Sequence, residues 1–197
     1  MKNFEKYSDK ELTKLINEGR READGAFVAL YNRYSEQLNA YCIFKAGNKS
    51  DAEEIFQDTW LKFLKSARDG KKIDTVLPFI YTIARHLCID RFRSKKSNTY
   101  ISNSLEGLEK LSDAFNLQTQ IEKDDLISII TLGVNNLDDI YKETFVMQWF
   151  GGMPVNEIAE ILGENAGTIK MRGYRAMKEL IRILKPYVVE ISGENRK

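Results

Sequence analysis

A single glycine near the end of the chain separates two segments in which apolar residues recur at helical spacing. In the first segment four apolar residues occupy positions i, i+3, i+4 and i+7 of one helix face: Val155, Ile158, Ala159 and Leu162. Gly163 follows directly, and glycine tolerates the positive φ with which many helices end. This pattern predicts a helix, a tight turn and a second helix.

The second helix is predicted to begin at Asn165, whose side-chain oxygen can accept a hydrogen bond from a free backbone N–H of the first turn. Ile169, Ala176 and Leu180 then face inward. The remaining face points outward and is largely basic or polar: Thr168, Lys170, Met171, Arg172, Tyr174, Arg175 and Lys178. Gly173 lies inside this helix at a cost of about 1 kcal/mol relative to alanine, which is acceptable where a neighbouring helix approaches closely.

The charge of this segment favours nucleic acid as its partner. Residues 164–185 contain six cations and two anions, whereas a solvent-exposed helix held by its own salt bridges mixes the signs more evenly. Two short helices with a basic second member suit insertion into a DNA major groove. Spacing alone leaves an alternative open, namely an ordinary surface hairpin with a solvated basic face.

Length and composition limit the fold class. The chain has 197 residues, 43% of them hydrophobic and 30% charged, with only three prolines and a helical period nearly throughout. These features predict a soluble all-α protein of one domain or two small ones. No apolar run reaches membrane-spanning length, and the first residues, M-K-N-F-E-K-Y-S-D, lack the apolar core of a signal peptide. We therefore predict a cytoplasmic protein without membrane insertion.

The sequence offers little for catalysis or metal binding. Cys42 and Cys88 fall on apolar helix faces and are interpreted as reduced, buried thiols. His86 and Cys88 are too few for a zinc site, which normally has four ligands. There is no paired histidine and carboxylate motif, no phosphate-binding glycine loop and no context for a nucleophile. We therefore predict that the protein is not an enzyme and has no metal or cofactor.

Net charge is only +1, but it is unevenly distributed. Residues 85–96 carry five cations against Asp90, and residues 97–143 carry three cations against nine anions. Each basic segment can bind phosphate, while the acidic segment between them would be repelled by DNA.

The first half of the chain contains two capping-box patterns, Ser8 with Glu11 and Ser50 with Glu53, each predicting a helix start. Between them, Gly19 and Gly25 bracket a predicted turn before a helix whose aromatic stripe is interpreted as core. The helix after Ser50 buries apolar and aromatic residues. Its other face presents Glu54, Gln57, Asp58 and an outward Leu61, a combination that suits docking to another protein.

A polar loop is predicted over residues 69–75, and Pro78 suits the first turn of the helix that follows. That helix turns a polar stripe outward and ends in the basic run R-S-K-K-S. Residues 94–120, rich in Ser and Asn, are interpreted as a flexible linker between two small helical domains, 1–93 and 121–197. In the second domain, helices are predicted over residues 122–132 and from near Asn136, the latter with Ile140 and Trp149 inward.

Both halves resemble the bacterial sigma factors of the extracytoplasmic-function group. The second half resembles their region four in an L-x-x-x-x-x-E-T-F opening, then G-G-M-P-V-N-E-I-A-E-I-L-G and G-T-I-K-M-R-G-Y-R-A-M-K-E-L. The first half resembles region two in A-F-V-A-L-Y-N-R-Y, D-A-E-E-I-F-Q-D-T-W-L-K-F and F-I-Y-T-I-A-R-H-L-C-I-D-R-F-R. These blocks cover about three quarters of the chain and stand in the family's order.

The resemblance implies an RNA polymerase subunit that directs promoter recognition, melting and transcription initiation, with region two at 1–93, the linker at 94–120 and region four at 121–197. Docking on the clamp helices of the largest polymerase subunit would fall on Glu53, Glu54, Gln57 and Asp58. Capture of the melted minus-ten element would fall on the loop 69–75 and then on Tyr81, Thr82, Arg85, His86, Asp90, Arg91 and Arg93. Reading of the duplex minus-thirty-five element would fall on the outward residues of the second helix given above, Thr168 to Lys178. An anti-sigma factor is the further partner that the resemblance implies.

The sequence departs from the family pattern at several positions. His86 replaces the usual Asn, Phe79 the usual Trp and Pro154 the usual Ser cap, while Pro78 is unusual at its place. Gly173 and Met177 stand where Leu and Arg are expected. These departures bear on which promoter is read. Two other functions fit the sequence less well. A helix-turn-helix repressor or activator acting without polymerase leaves the first half without a role, and an enzyme would need a catalytic motif that the sequence lacks.

Overall fold

The structure, a computed structural model, describes residues 4–19, 21–98 and 130–192, with side chains at residues 4–19, 21–93 and 130–185. Every regular element in these ranges is helical, which confirms the all-α class. The first part contains a 3-10 turn Phe4–Lys6, α1 (Asp9–Asn17), α2 (Ala23–Ala46), α3 (Lys49–Arg68) and α4 (Val76–Asn98). The second contains helical residues 130–135, α5 (Asp139–Phe145), a π-helical turn Val146–Phe150, α6 (Val155–Leu162) and α7 (Ala166–Ser192). The two parts form separate compact units.

The core of the first unit contains a cluster of aromatic rings. The aromatic stripe predicted on α2 is only partly core, since Tyr41 is buried and Phe27 and Tyr34 are half-buried, but Tyr31 is 36% exposed. Trp60 of α3 is 4% exposed, and its ring lies 5.7 Å from Phe27, 5.1 Å from Tyr31 and 5.7 Å from Phe63. The helices α1, α2 and α4 contribute further buried apolar side chains: Leu12, Ile16, Leu30, Leu38, Tyr41, Ile80 and Ala84. Aromatic pairs of this geometry contribute beyond the area that they bury, so α3 is fixed from beneath while its other face stays exposed.

Asp9 joins three of these helices through its carboxylate. It accepts hydrogen bonds from Arg33 at 2.6 Å and from the Tyr34 hydroxyl at 2.7 Å, both on α2. It also accepts one from the backbone N–H of Val76 at 3.1 Å, the first residue of α4. The cap of α4 is therefore provided by α1, since a carboxylate at a helix N-terminus pairs with a free N–H and with the helix dipole.

The contact between Asp9 and Tyr34 predicts that the first unit loses folding stability at alkaline pH. Burial raises the pKa of Tyr34 to about 12, and the hydrogen bond to the Asp9 carboxylate adds to the shift. The folded state thus favours the protonated phenol, so this stabilisation is complete below the unfolded pKa of about 10 and is lost as pH rises through about 12. Tyr34→Phe is expected to flatten the fall of the denaturant midpoint across that window. Tyr174→Phe, at a 63% exposed ring in the second unit, is the control, and an unchanged profile in Tyr34→Phe would contradict the argument.

Two helix starts in the first unit differ from the sequence prediction. α2 begins at Ala23, so Gly25 lies within its first turn and does not end a loop. A Cβ at Gly25 would lie 2.4 Å from the Phe4 ring, which shows that the glycine permits close approach of the N-terminal turn. α3 begins at Lys49, which places Ser50 inside the helix and not at its cap. The Ser8 and Glu11 capping box, in contrast, is confirmed at α1.

In the second unit the π-helical turn changes which side chains point inward. Ile140 and Trp149 were predicted to be inward, but they are 50% and 44% exposed, so that prediction was wrong. The apolar spacing of this segment assumed 3.6 residues per turn, and a π turn holds more residues, which rotates the side chains after Phe145 and accounts for Trp149. Ile140 precedes the π turn, in the first turn of α5, and is exposed on a cleft beside α7. Trp149 instead stacks on Phe145 with ring centroids 4.6 Å apart.

Several predictions fall partly outside the described residues. α4 continues to Asn98 and so enters the predicted linker, whose residues 99–120 are not described. Of the helix predicted over 122–132, only residues 130–132 are described, and they are helical. Cys42 and Cys88 are buried thiols that are not joined in a disulfide, as predicted. Among the described helices, none combines the length and the apolar character needed to cross a bilayer.

Candidate nucleic-acid interface

The helix-turn-helix is present where the spacing predicts it. Gly163 ends α6 with a φ of 67°, in the left-handed region that favours glycine. The Asn165 side-chain oxygen accepts a hydrogen bond of 2.8 Å from the Thr168 N–H and so caps α7. Ile158 of α6 and Ile169 of α7 are fully buried. The same core that joins the two helices therefore leaves one side of α7 facing solvent.

That outward side carries the predicted duplex-reading residues. Tyr174 is 63% and Met171 49% exposed, and Lys170, Arg175 and Lys178 are also exposed. Arg172 is held differently, because its guanidinium bonds Glu164 of the turn at 2.5 Å and its side chain is only 20% exposed. A charge-assisted pair of this kind fixes the arginine relative to the turn. The structure thus brings the seven residues to one helix surface, with Thr168 and Arg172 the least exposed.

An open cleft of about 590 Å³ lies between α5 and the first two turns of α7. Part of its lining is apolar and part is basic: Ile140, Tyr141, Asn165, Gly167, Thr168, Met171, Arg172 and Arg175. The exposure of Ile140, which the sequence did not predict, places an apolar side chain beside the basic face of α7. Such a mixed surface can contact both the phosphates and the apolar base edges of a DNA groove.

Gly173 lies on the inner side of α7, against the π-helical turn. A Cβ there would come 2.6 Å from the Gln148 side-chain oxygen, closer than real contacts allow. The close approach anticipated for this glycine is thus present. Gln148 and the π turn are features that sequence reasoning missed, because no apolar period marks them.

On α4, five of the predicted minus-ten residues share one stripe. Thr82, Arg85, His86, Asp90 and Arg93 recur at three- and four-residue spacing, and His86, Asp90 and Arg93 are exposed.

Tyr81 does not belong to this surface. Its side chain is fully buried, its hydroxyl donates to the Gln37 carbonyl at 3.0 Å, and its ring lies 4.8 Å from that of Tyr41. Burial is also the main reason why the pKa of Tyr81 is raised. The structure therefore does not expose Tyr81 for the DNA contact that the resemblance implies, since its position on α4 falls on the buried stripe of Ala84 and Cys88.

Arg91 points away from the exposed stripe and toward α3. Its Nη1 bonds Glu54 at 2.6 Å and its Nε bonds Asp51 at 3.0 Å, and Nη2 contacts both carboxylates. Hydrogen bonds to Glu54 and then to Asp51 raise the pKa of Arg91 above its ordinary value. Two surfaces that the sequence treated separately, the acidic face of α3 and the basic helix α4, are therefore joined by one arginine.

The acidic face of α3 is exposed as predicted. Glu53, Glu54 and Gln57 are exposed, Asp58 is half-buried, and Leu61 is 64% exposed. An exposed leucine beside carboxylates, supported from below by Trp60 and Phe63, is a suitable surface for a basic and partly apolar partner.

Three side chains of α1 hold the loop between α3 and α4, and sequence reasoning missed all of them. Asn17 donates to the Arg68 carbonyl at the end of α3 (3.2 Å), Thr13 donates to the Ile73 carbonyl within the loop (3.3 Å), and Asp9 accepts from Val76 at the start of α4. The capping box predicted that α1 exists, but no local pattern shows what its polar side chains contact 51 to 67 residues away.

No group of three or more His, Cys, Asp or Glu side chains within residues 4–19, 21–98 and 130–192 is placed to hold a metal ion.

Two family models match the chain. The model for sigma-70 region 2 matches residues 30–98, and the model for sigma-70 region 4 matches residues 129–180. The matched ranges contain α3, α4 and the helix-turn-helix, and thus the surfaces described above.

Whole-chain relatives agree with these models. The ECF RNA polymerase sigma factor SigW of Bacillus subtilis is 27% identical over 88% of this chain and 97% of its own length. The RNA polymerase sigma factor SigV of the same organism is 31% identical over 69% of this chain and 76% of SigV. The ECF RNA polymerase sigma factor BldN of Streptomyces coelicolor is 29% identical over 83% of this chain, which spans 61% of the length of BldN.

The fold also resembles a solved structure. The sigma factor RpoE of Bartonella quintana, in its complex with the anti-sigma factor NepR, has a TM-score of 0.64 and 19% identity, covering 81% of this chain and 96% of that one. At this identity the likeness supports the fold alone. Taken with the two family models and with SigV, these findings place the chain in the extracytoplasmic-function group of bacterial RNA polymerase sigma factors.

Proposed function

We propose that this sigma factor is a dissociable initiation subunit that binds core RNA polymerase through α3 and gives the enzyme two DNA contacts, one on a melted strand and one on duplex. The observation that carries the proposal is the placement of the charged surfaces. An acidic docking face and a basic helix adjoin in the first unit, and a basic recognition helix stands in the second. Because the net charge is only +1, we expect the free protein to bind DNA weakly. Core polymerase would supply the rest of the affinity for the promoter.

The docking face comprises Glu53, Glu54, Gln57 and Asp58, with Leu61 at its side. Its partner would be the clamp helices of the largest polymerase subunit. Exposed charges alone contribute little affinity, so the exposed leucine is the expected anchor and the carboxylates set orientation and encounter rate. The Arg91 contact to Glu54 holds one of these carboxylates in place before docking.

The minus-ten contact would be made by the loop 69–75 and by Thr82, Arg85, His86, Asp90 and Arg93. Unstacking a base costs a few kcal/mol, and a fixed surface reduces the ordering cost of holding the freed strand. Tyr81 and Arg91 act in this proposal as positioning residues. Tyr81 anchors α4 to α2, and Arg91 anchors α4 to α3.

The minus-thirty-five contact would be made by α7, with Lys170, Met171, Tyr174, Arg175 and Lys178 toward the groove. Thr168 lies at the capped N-terminus of α7, where backbone N–H groups favour phosphate. Arg172 would reach DNA while braced by Glu164. The proposed domain bounds are 1–93 for region two, 94–120 for the linker and 121–197 for region four.

An anti-sigma factor is the proposed inhibitory partner, on the precedent of the RpoE complex with NepR. The chain would work in the cytoplasm as a binding subunit without catalytic activity of its own. This agrees with the lack of a catalytic motif in the sequence.

Run-off transcription tests the proposal. Purified protein added to core polymerase of the source bacterium is expected to produce discrete transcripts from genomic fragments that core alone does not produce. A gel shift with the same fragments is expected to show weak binding until core is added. Tight, site-specific binding by the protein alone, with no transcript on adding core, would indicate a repressor instead.

The docking face makes a separate prediction. Gln57→Ala with Asp58→Ala is expected to weaken co-sedimentation with core polymerase by roughly tenfold, the effect of about 1.4 kcal/mol at an interface. Glu36→Ala with Asn39→Ala, an exposed acid and amide on α2, is the matched control and should leave the complex unchanged. If the α3 variant sediments with core as the natural protein does, the docking face lies elsewhere.

A further inference from the structure

The loop that precedes α4 and the exposed side of α1 enclose a second cleft, of about 270 Å³. Four lysines line it, two from α1 and two from the loop: Lys10, Lys14, Lys71 and Lys72. Asp74 is the one carboxylate in its lining, and Thr13, Asn17, Gly70 and Ile73 complete it. We call this the α1–loop cleft. Neither the sequence reasoning nor the family likeness assigned any role to the lysines of α1.

The cleft is formed before any ligand arrives. The loop is tied to α1 at its start, middle and end by Asn17, Thr13 and Asp9. Gly70 has a φ of 80°, a conformation that other residues rarely adopt, and a Cβ there would approach the Asn17 amide to 3.2 Å. Because each of these three side chains bonds a backbone group of the loop or of the helix ends beside it, binding would require little ordering of the chain.

The lysines are available to an anion. Lys10, Lys14 and Lys72 have side chains 73%, 76% and 81% exposed. Lys10 and Lys72 share the carboxylate of Asp74 at 3.8 and 3.3 Å, and Lys14 pairs with Glu18 at 3.9 Å. Pairs with such exposed lysines are worth about 0–1 kcal/mol. A phosphate can therefore compete for them at little cost.

The lining of the cleft favours a nucleic-acid backbone over a small organic ligand. It consists mainly of charged and polar residues, whereas pockets for organic ligands are lined mostly by hydrophobic and aromatic ones. Lys71 is further held over the Phe79 ring at 4.7 Å, and this cation–π contact restricts where its ammonium lies. Phe79 is in the first turn of α4, so the cleft adjoins the start of the helix that carries the minus-ten stripe.

We propose that the α1–loop cleft binds backbone phosphates of the melted DNA strand, with Lys10 and Lys14 of α1 acting together with Lys71 and Lys72 of the loop. This inference rests on the proposed function and extends the strand-binding surface to α1. According to this proposal, α1 contributes to strand binding in two ways. Its polar side chains shape the loop, and its lysines hold the strand that leaves the loop.

Fluorescence anisotropy of the full chain with a labelled oligothymidine of about ten nucleotides, within the usual single-strand site sizes, tests the proposal. Binding is measured from about 50 to 200 mM KCl, because each phosphate contact contributes about 0.7 to the slope of log affinity against log salt. Lys10→Gln with Lys14→Gln is expected to make the slope shallower by about 1.4. Lys62→Gln with Lys65→Gln, exposed on α3 and equal in charge change, should leave it unchanged.

Each other outcome overturns the assignment. An unchanged slope in the α1 variant removes Lys10 and Lys14 from the strand path. Displacement of the oligonucleotide by inorganic phosphate at constant ionic strength would make free phosphate the ligand. Equal dependence on these lysines for a duplex of the same length would remove the preference for a single strand, and loss of core binding in the variant would assign the cleft to a protein partner.

The result is separable from that of the proposed function. If the natural protein directs run-off transcription while oligothymidine binding ignores Lys10 and Lys14, the cleft assignment fails and the function stands. If oligothymidine binds through these lysines while no transcript forms with core, the function fails and the phosphate site stands.

Discussion

Replacing Arg172 and Arg175 of α7 by alanine is expected to abolish promoter-specific initiation while binding to core polymerase survives. The proposed duplex contact belongs to the second unit, whereas the proposed docking face on α3 belongs to the first. Each good arginine contact to a base pair is worth about 1–3 kcal/mol of discrimination. Loss of two such contacts would lower affinity for the minus-thirty-five element by roughly 30-fold to 20,000-fold.

The two arginines should not contribute in the same way. Arg175 is exposed, so Arg175→Ala removes a DNA contact and little else. Arg172 also bonds Glu164 in the turn, so Arg172→Ala additionally frees the turn from α7. Glu164→Gln separates these roles, because it weakens the brace while keeping the arginine. We expect Glu164→Gln to reduce promoter binding less than Arg172→Ala does.

The measurement is run-off transcription beside co-sedimentation with core, using the same preparations. Arg182→Ala with Lys185→Ala provides the matched control, because it removes the same charge from exposed positions further along α7, where Arg182 is paired with Glu179. If the control loses initiation as fully as the Arg172 and Arg175 variant, the total positive charge of α7, and not base recognition, determines promoter binding. If the Arg172 and Arg175 variant loses core binding, α7 belongs to the polymerase interface.

The helix-turn-helix could be predicted from the sequence because all of its determinants are local. Gly163, Asn165 and the apolar positions of α6 and α7 lie within 26 residues of one another, and each acts through backbone conformation or helical period. Local signals also placed the loop 69–75 between α3 and α4, since α3 ends at Arg68 and α4 begins at Val76.

The features that were missed depend on contacts between distant residues or on broken periodicity. Arg91 lies 40 residues from Asp51. Its spacing on α4 could not show which carboxylates its guanidinium reaches, and the family pattern assigned it to DNA. Tyr81 was predicted from the family pattern to touch DNA, whereas its place beside Ala84 and Cys88 turns it inward. The π-helical turn exposes Trp149 because one extra residue per turn defeats a period of 3.6.

Asp9→Ala is expected to destabilise the first unit by about 2–4 kcal/mol. The side chain is 16% exposed, and its loss removes the partner of a partly buried arginine, which costs up to about 3–5 kcal/mol when the pair is fully buried. It also removes the cap of α4, worth about 1 kcal/mol. At about 4–8 °C per kcal/mol for a unit of this size, the Tm of the first unit should fall by about 8–32 °C.

The two tryptophans allow the units to be followed separately, since Trp60 lies in the first and Trp149 in the second. In a Trp149→Phe background the remaining fluorescence reports only the buried ring of Trp60. Asp9→Asn, which keeps one acceptor oxygen but loses the charge, should fall between the natural protein and Asp9→Ala, while Glu36→Ala on α2 should change little.

A second readout separates a stability effect from a loop effect. Because Asp9 fixes the end of the loop at Val76, Asp9→Ala should weaken oligothymidine binding even at temperatures where the Trp60 signal remains fully native. Core binding through α3 should persist under the same conditions, since α3 is held by the Trp60 ring cluster and by Arg91. A variant that keeps the natural Tm, or that loses core binding before strand binding, would contradict the assignment of α1 as the support of the loop.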